Sequence, residues 1–474
     1  MVFSSIDFLC AFLPVVFILY TALSAVKTDT RIKLQNILLL AASLAFYAYG
    51  EPVYVLLLIG SALINYLAAL LISSKNKELR KPVLIAAVIL DLAVLCMFKY
   101  TGMFVESFNA LSGLSVPVPR IVLPIGISFF TFQALSYVID VYRGETAAQK
   151  NFALLLLYIS LFPQLIAGPI VKFHEIDREL TERRQTVSGT AKGLRRFIVG
   201  LSKKVLISNT LAVAADAVFG AQAAQLNVLS GWIGAAAYML QIYYDFSGYS
   251  DMALGMGEMF GFHFCENFNY PYCSLNMRDF WRRWHISLSS WFRDYLYIPL
   301  GGNRKGKLRT GINKMIVFFC TGLWHGASWT FVIWGLYHGF FLLLEEYLPK
   351  REKKHPVLSR IYTLLAVCFG FVIFRADTIG GALSVMKSML FGWKFGEASS
   401  LALSVLSPLF IAVFICACIG AVPLKEKICS AGETLGIKRE ALSTASYIGA
   451  FLLLLLCVIS LSGSTYNPFI YFRF

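Results

Sequence analysis

The sequence predicts an all-α integral membrane protein that crosses the bilayer many times. Hydrophobic residues make up 58% of the 474 residues and charged residues only 15%, and the mean hydropathy is +0.67. This composition is typical of polytopic membrane proteins and excludes a soluble enzyme and a disordered chain. Lys and Arg outnumber Asp and Glu by 42 to 27, which indicates basic loops beside an anionic lipid membrane and not a nucleic-acid partner.

Apolar stretches that reach or approach the length of a transmembrane helix recur along the chain. A hydrocarbon layer of about 30 Å requires about 20 helical residues, so several stretches are too short to cross upright. We predict about ten to twelve crossings in a single membrane-embedded domain, residues 1–474. No Lys or Arg precedes the first stretch and no small-residue cleavage site follows it, which predicts a retained span and not a signal peptide. The stretches are 7–26, 34–49, 53–73, 82–98, 121–142, 152–171, 197–219, 228–246, 311–323, 328–348, 357–376, 401–422 and 441–463.

The distribution of basic residues predicts the orientation of the chain. Basic residues at 27–33 and 75–81 follow the first and third stretches, and the positive-inside rule therefore places the amino terminus outside. The segment 267–314 is also basic, and its Trp and Tyr residues favour a position at the cytoplasmic interface, where such rings and snorkelling Arg side chains are stable. An amphipathic surface helix accounts for the same pattern.

One stretch, 152–171, conflicts with a simple count of crossings. If it crossed fully, the basic segment 172–204 would lie outside, against the charge rule. Pro163 and the Gly168-Pro169 pair would break a helix in mid-membrane. We therefore predict a re-entrant segment that returns to the side from which it entered. An ordinary proline-kinked span is the alternative.

His325 is the leading candidate for catalysis. It lies between an apolar leg of residues 311–323 and a second leg at 328–348. The first leg rises only about 20 Å from the cytoplasmic side, so we expect His325 to lie within the membrane. An ionisable residue at that depth indicates a functional site, although a neutral packing histidine is the alternative. Gly322 and Gly326 are expected to leave room for a ligand, with Trp324 and Trp329 as its walls.

His285 belongs to the basic and aromatic segment and is a second candidate. The neighbouring Arg282, Arg283 and Arg293 would pair with the phosphates of a diphosphate or phosphopantetheine. His338 is interpreted as structural, and His174 and His355 occur in basic loops without a predicted catalytic role. The ten cysteines form no CxxC pair, so no metal site is predicted.

Motifs of other enzyme classes do not occur in the chain. There is no GxSxG elbow, Walker loop, HExxH or GxGxxG after a predicted strand. The remaining chemistry is centred on histidine, whose imidazole has an ordinary pKa near 6.5. Such a group accepts the proton of an attacking hydroxyl, as acyl transfer to an alcohol requires.

At these residues the sequence resembles the membrane-bound O-acyltransferases, in particular the bacterial branch of alginate and peptidoglycan O-acetylation. Within it, Trp324-His325-Gly326 is similar to the WHG motif of that family and Arg282-Arg283-Trp284-His285 to its RRWH motif. The core motifs occupy about 121–376. The matching stretches are Asp279–Arg304, Thr321–Gly339, Tyr244–Asp251, Phe162–Pro169 and Tyr466–Phe474.

The resemblance implies a ring of membrane helices around a thin partition, with a funnel and tunnel that contain the essential histidine. His325 would be the general base and His285 would orient the donor or assist proton transfer. The resemblance implies acetyl-CoA or another cytoplasmic acyl thioester as donor substrate, with no bound cofactor. Residues predicted to contact the donor are Arg282, Arg283, Trp324, Trp281, Asn303 and Arg293.

The resemblance also implies where the product is used. The protein would reside in the bacterial cytoplasmic membrane and serve O-acetylation of an extracellular or cell-wall polysaccharide. An extracytoplasmic partner similar to SGNH hydrolases is expected to receive the acyl group first. D-alanyl transfer to teichoic acid is the alternative within the family. A transporter is the alternative outside it, although no pair of matching broken segments occurs in two halves.

Overall fold

The computed structural model describes residues 2–166, 168–347, 355–424, 439–463 and 466–470. Every regular element in these ranges is helical, which confirms the predicted all-α membrane class. Two further apolar helices, Ile379–Phe391 and Pro408–Gly420, are shorter than a span. The total of about ten to twelve crossings stays a prediction. Among the described residues, seven helical segments are long and apolar enough to cross a membrane: Phe8–Ala25, Thr30–Gly50, Tyr54–Ile72, Lys77–Ser112, Val187–Phe219, Pro356–Arg375 and Glu440–Gly463.

We number the α-helices in chain order. The first ten are α1 (Leu13–Ala22), α2 (Thr28–Gly50), α3 (Tyr54–Ile72), α4 (Lys77–Ser112), α5 (Ile127–Arg143), α6 (Phe152–Ser160), α7 (Phe162–Leu165), α8 (Phe173–Ile176), α9 (Glu179–Glu182) and α10 (Val187–Ser202). The next eleven are α11 (Asn209–Phe219), α12 (Val228–Phe260), α13 (Met277–Arg283), α14 (Ile286–Phe292), α15 (Gly306–His325), α16 (Trp329–Tyr347), α17 (Pro356–Arg375), α18 (Ile379–Phe391), α19 (Ser400–Val405), α20 (Pro408–Gly420) and α21 (Arg439–Gly463).

The described residues form two compact units. Unit 1 contains those between Met1 and Phe197 together with Ser250–Glu266. Unit 2 contains Ile198–Tyr249 and those between Asn267 and Phe474. Both predicted catalytic histidines belong to unit 2. The prediction of a single membrane-embedded domain concerns the whole chain and stays a prediction.

In unit 1 the helix predicted to be broken at 152–171 is broken. The chain leaves the helix at Leu161, with ψ 111°, and Pro163 lies in the first turn of the short helix α7. The side chain of Gln164 donates to the carbonyl oxygen of Tyr158 at 2.6 Å, and the Tyr158 hydroxyl donates to that of Val171 at 2.8 Å. Side chains thus donate hydrogen bonds to carbonyl oxygens that the break in the helix would leave without partners.

In unit 2, α15 and α16 pack closely through glycine. A Cβ atom at Gly322 would lie 2.3 Å from the carbonyl oxygen of Phe331, and one at Gly335 would lie 2.2 Å from that of Phe318. Small residues permit this approach of two helix backbones. The prediction that Gly322 and Gly326 leave room for a ligand is wrong, because a Cβ atom at Gly326 would lie 2.2 Å from the Phe331 ring.

α15 is longer than the apolar leg from which it was predicted. It begins at Gly306 and not near 311, so its first turns carry Lys307 and Arg309. Hydropathy alone misses such turns, because long basic side chains lie at the interface while the helix continues. The helix still ends at His325, and α16 begins at Trp329, close to the predicted start at 328.

Unit 2 also contains a buried ion pair that holds a segment near the carboxyl end. The Lys204 ammonium lies 2.6 Å from the Asp245 carboxylate, and both side chains are at most 1% exposed. Lys204 also donates to the carbonyl oxygen of Pro468, and the backbone N–H of Ile470 donates to Asp245 at 2.9 Å. The rest of the predicted terminal motif, residues 471–474, lies outside the described residues.

Candidate active site

His325 is the last residue of α15 and is buried among aromatic side chains. Its own exposure is 5%. The centroid of its ring lies 5.0 Å from those of Trp324 and Trp334 and 5.2 Å from that of Phe374. Because α15 ends here, the imidazole stands at a helix terminus within unit 2 and not on a surface loop. This position agrees with a site that excludes bulk water.

His285 occupies the junction between α13 and α14. Its backbone is left-handed, with φ 45°, which is uncommon for a residue other than glycine. Asn267 fixes this junction: its backbone oxygen accepts from the N–H of Ile286 at 2.9 Å, and its side-chain oxygen accepts from the Ser287 hydroxyl at 2.9 Å. A strained backbone held by several hydrogen bonds is a frequent property of functional sites.

The structure brings the two predicted catalytic histidines together. Their ring centroids are 6.5 Å apart, and the Trp324 ring lies 5.9 Å from that of His285. At this separation the two imidazoles do not hydrogen bond directly. A small reacting group could lie between the rings and contact both. Burial lowers the pKa of His285, which lies outside the candidate spans, to about 3. His285 is therefore a neutral imidazole, and its Nδ1 has no hydrogen-bond partner among the described residues.

A cavity of about 430 Å³ is lined by residues of α13, α14, α15 and α16, and we call it the cationic cavity. Four of its lining side chains are basic. Lys314 pairs with Glu346, and Arg293 pairs with Asp294 at 2.7 Å, whereas Arg278 and Arg282 form no salt bridge within the described ranges. Its walls combine these charges with apolar surface. The lining residues are Arg278, Trp281, Arg282, Ile286, Leu288, Ser289, Ser290, Phe292, Arg293, Lys314, Val317, Phe318, Thr321 and Leu342.

The cationic cavity ends one helical turn before His325. Thr321 lines the cavity and precedes His325 by four residues, about 6 Å along the axis of α15. Trp281 lines it as well, and its ring lies 5.7 Å from that of Trp334, which contacts His325. A long ligand with its charged part at the arginines would therefore extend its other end toward the imidazole.

The predicted donor-contacting residues divide into two groups. Arg282, Arg293 and Trp281 line the cationic cavity, and Trp324 lies between the two histidines. Three of the six, Trp324, Arg283 and Asn303, do not line the cavity. Arg283 forms a salt bridge with Asp279 at 3.0 Å, and Asn303 is exposed in the connection before α15.

Arg278 and Lys314 line the cationic cavity, although neither was predicted as a site residue. Lys314 precedes His325 by eleven residues, or about three helical turns, so both lie on one face of α15. This spacing of eleven residues could have been recognised in the sequence as placing Lys314 and His325 on one helix face. The backbone N–H groups of Met277 and Arg278 donate to Glu345 of α16, at 2.6 and 3.2 Å, which fixes the start of α13.

The other histidines lie outside this arrangement or behind it. His338 is fully buried, and its ring lies 5.1 Å from that of Trp281 and 4.9 Å from that of Trp334. In unit 1, His174 pairs with Asp140 at 3.0 Å and His263 with Glu179 at 2.7 Å. His338 thus supports the aromatic layer beneath His325.

Fold and candidate site together define a multi-pass membrane protein in which two buried histidines lie close together. The sequence pattern of MBOAT, the membrane-bound O-acyltransferase family, matches residues 127–376. The chain belongs to this family, and it is an acyltransferase. Family membership decides against the transporter alternative.

Curated relatives support the same assignment. The chain is 40% identical to the "Probable alginate O-acetylase AlgI" of Pseudomonas putida over 100% of both chains. It is 38% identical to the "Peptidoglycan O-acetyltransferase" of Helicobacter pylori over 82% of this chain and 80% of that protein. It is 28% identical to the "Teichoic acid D-alanyltransferase" of Bacillus subtilis over 54% of this chain and 70% of that protein.

Proposed function

We propose that this acyltransferase moves an acetyl group from a cytoplasmic thioester, acetyl-CoA, to a hydroxyl that approaches from the opposite side of the membrane. The product would serve O-acetylation of an extracellular or cell-wall polysaccharide. The relatives that match most of the chain bear names of O-acetylation, whereas the D-alanyltransferase similarity covers about half of it. This difference favours acetyl over D-alanyl transfer.

One observation carries the proposal: the cationic cavity ends one helical turn from His325, which packs against Trp324 and lies near His285. Guanidinium groups pair bidentately with phosphate oxygens, so Arg278 and Arg282 suit the phosphates of coenzyme A. The apolar part of the cavity, with Trp281 and Phe318, suits the pantetheine arm. By the positive-inside rule these basic residues lie on the cytoplasmic side.

The arrangement supports a direct transfer. His325 removes the proton of the acceptor hydroxyl, whose oxygen attacks the carbonyl carbon of the thioester. The carbon–sulfur bond breaks, and the proton passes from the imidazolium to the leaving thiolate. Thioester and alcohol thereby become ester and thiol. The neutral His285 would orient the donor through its unpartnered Nδ1.

The acetyl group is expected to be passed on outside the membrane. The chain would transfer the acetyl group to an extracytoplasmic partner similar to SGNH hydrolases, which would then modify the polysaccharide. Its location would be the cytoplasmic membrane of a bacterium.

The function is tested by the ester content of the cell envelope. A strain from which the gene is deleted is compared with one complemented by the wild-type chain, and mild base releases acetate and D-alanine from the envelope. We expect acetate to fall on deletion and to return on complementation. A fall in D-alanine with constant acetate would assign the chain to D-alanyl transfer, and no change in either ester would contradict the proposal.

The donor site is tested by Arg282→Ala. A hydrogen bond to a charged group contributes about 1.5–3 kcal/mol, so the affinity for acetyl-CoA should fall about tenfold or more. Isothermal titration calorimetry on the purified protein in lipid nanodiscs measures this. Arg309→Ala is the matched control, because Arg309 is exposed and does not line the cavity. Equal affinities of both variants and the wild type would contradict the site.

A further inference from the structure

Unit 1 contains a group of three potential metal ligands, which the proposed acyl transfer does not use. Asp140 lies in the last turn of α5, Glu145 follows that helix, and His174 lies in α8. Each side chain offers one ligand atom, and the three ligand atoms all lie within 4.8 Å of one another. Within the described part of the chain, no other three His, Cys, Asp or Glu side chains come together in this way. We call these three residues the unit 1 cluster.

The end of α5 fixes the two carboxylates of the cluster. Gly144 ends the helix with φ 76°, and the N–H of Glu145 donates to the carbonyl oxygen of Asp140 at 2.9 Å. Glycine adopts this left-handed conformation without strain, and the resulting turn brings Glu145 back toward the helix end. Two carboxylates five residues apart in the chain therefore reach one point in space.

His174 is positioned by the segment that returns from the broken helix. The ring of the neighbouring Phe173 packs 4.9 Å from that of Tyr137 and 5.2 Å from that of Tyr158. These contacts fix the backbone that carries the imidazole. The Nδ1 atom of His174 lies 3.0 Å from Oδ2 of Asp140. The return of the broken helix thus meets the end of α5 at this cluster.

Burial and charge at the cluster favour a bound cation. The side chain of Asp140 is fully buried, whereas those of His174 and Glu145 are 37% and 50% exposed. Burial of a carboxylate is costly unless a cation accompanies it. Glu145 lies 3.8 Å from Arg143, and an exposed pair of this kind contributes little to stability. Two carboxylates and a neutral imidazole carry two negative charges, which a divalent cation balances.

The donor set selects the class of ion. One imidazole nitrogen with two carboxylate oxygens suits Zn²⁺, which proteins bind through three side chains when water takes the fourth position. Mg²⁺ and Ca²⁺ prefer oxygen ligands alone. The exposed sides of His174 and Glu145 leave a position for water. The cysteine pattern predicted no metal site, and ligands that are 34 residues apart form no short motif that would have revealed one.

We propose that Asp140, Glu145 and His174 bind one Zn²⁺ ion, which joins the end of α5 to the returning segment of the broken helix. By the positive-inside rule the basic segment 172–204 lies on the cytoplasmic side, so the ion comes from the cytoplasm. Its role is structural: it stabilises unit 1 and takes no part in acyl transfer, whose candidate histidines belong to unit 2. The Zn²⁺ site is therefore independent of the proposed function.

The Zn²⁺ affinity of the purified protein tests the site. The protein is treated with EDTA in detergent, and a chromophoric chelator then competes with it for added Zn²⁺. We expect the wild type to bind one Zn²⁺ per chain and to melt at a higher temperature with Zn²⁺, because an ion that binds only the folded state stabilises it. Mg²⁺ and Ca²⁺ should leave the thermal midpoint unchanged.

Two variants remove one ligand each. Loss of a supporting group outside the ligand set already costs about 10–100-fold in metal affinity. His174→Gln and Glu145→Gln should therefore each weaken Zn²⁺ binding about tenfold or more. Both positions are partly exposed, so the chain should still fold, and a cooperative melting transition without Zn²⁺ shows that lost binding is not lost folding.

Two matched variants control for the lost imidazole and the lost charge. His263→Gln removes another exposed imidazole of unit 1, paired with Glu179 at 2.7 Å, and Glu182→Gln removes another exposed carboxylate, paired with Arg178 at 2.8 Å. Both should bind Zn²⁺ as the wild type does. If the wild type binds no Zn²⁺, or if the ligand variants bind it equally tightly, the cluster is only an ion pair and the proposal is overturned. Binding of Mg²⁺ or Ca²⁺ in place of Zn²⁺ would overturn the assigned class of ion.

Discussion

His325→Ala is expected to abolish measurable acyl transfer while leaving the protein folded. A positioned general base contributes about a hundred- to ten-thousand-fold to a rate, and Ala removes the only group of His325 that accepts a proton. The ring packs against Trp334 and Phe374, so the vacated space is bounded by large side chains that retain their own contacts. Acetate released from the envelope of the complemented deletion strain measures the loss, at matched membrane abundance.

Two further variants make this result specific. His355→Ala removes an exposed histidine before α17 and should retain full ester content. His285→Asn introduces a residue that tolerates a left-handed backbone, so its effect reports the loss of the imidazole and not a distortion of the junction. We expect a smaller fall in envelope acetate than for His325→Ala. Wild-type acetate levels in the His325→Ala strain would refute its role as general base.

Gly322→Ala is expected to be among the most destabilising single substitutions in unit 2. The new Cβ atom would lie 2.3 Å from a backbone oxygen of α16, which has no rotamer by which to move away. Overpacking of this kind costs about 1–3 kcal/mol, and it would separate α15 from α16 beside His325. The thermal midpoint of the detergent-purified protein, followed by size-exclusion chromatography after heating, measures the loss.

Gly60→Ala is the matched control. Gly60 lies inside α3, and a Cβ atom there meets nothing within 4 Å. Ala is favoured over Gly inside a helix by about 1 kcal/mol, so this variant should be neutral or slightly more stable. If both variants shift the midpoint equally, the close packing of α15 and α16 is not the cause.

Much of the helical framework could be predicted because hydropathy reports directly on membrane helices. The stretches at 53–73 and 357–376 end within one or two residues of α3 and α17. The break near Pro163 could also be predicted, since proline removes a backbone donor wherever it occurs. Histidine is rare in apolar surroundings, which made His325 and His285 candidates; their roles stay predictions.

The rest depends on contacts between distant parts of the chain. Arg282 and Arg283 are adjacent, yet only Arg282 lines the cationic cavity, because Arg283 pairs with Asp279 one turn earlier. That i,i+4 pair could have been read from the sequence. Hydropathy could not reveal that Gly322 serves helix packing, nor that Asn267 fixes the junction at His285, since both follow from tertiary neighbours.

The Lys204–Asp245 ion pair has a consequence for biosynthesis. Pro468, which supplies one of its backbone contacts, lies 264 residues after Lys204. Ribosomes add about 5–20 residues per second, so Pro468 is synthesised on the order of ten seconds or longer after Lys204. Until residue 470 has been translated, Lys204 lacks the carbonyl oxygen of Pro468 and Asp245 lacks the N–H of Ile470. The nascent protein therefore completes this part of unit 2 only after residue 470 has been made.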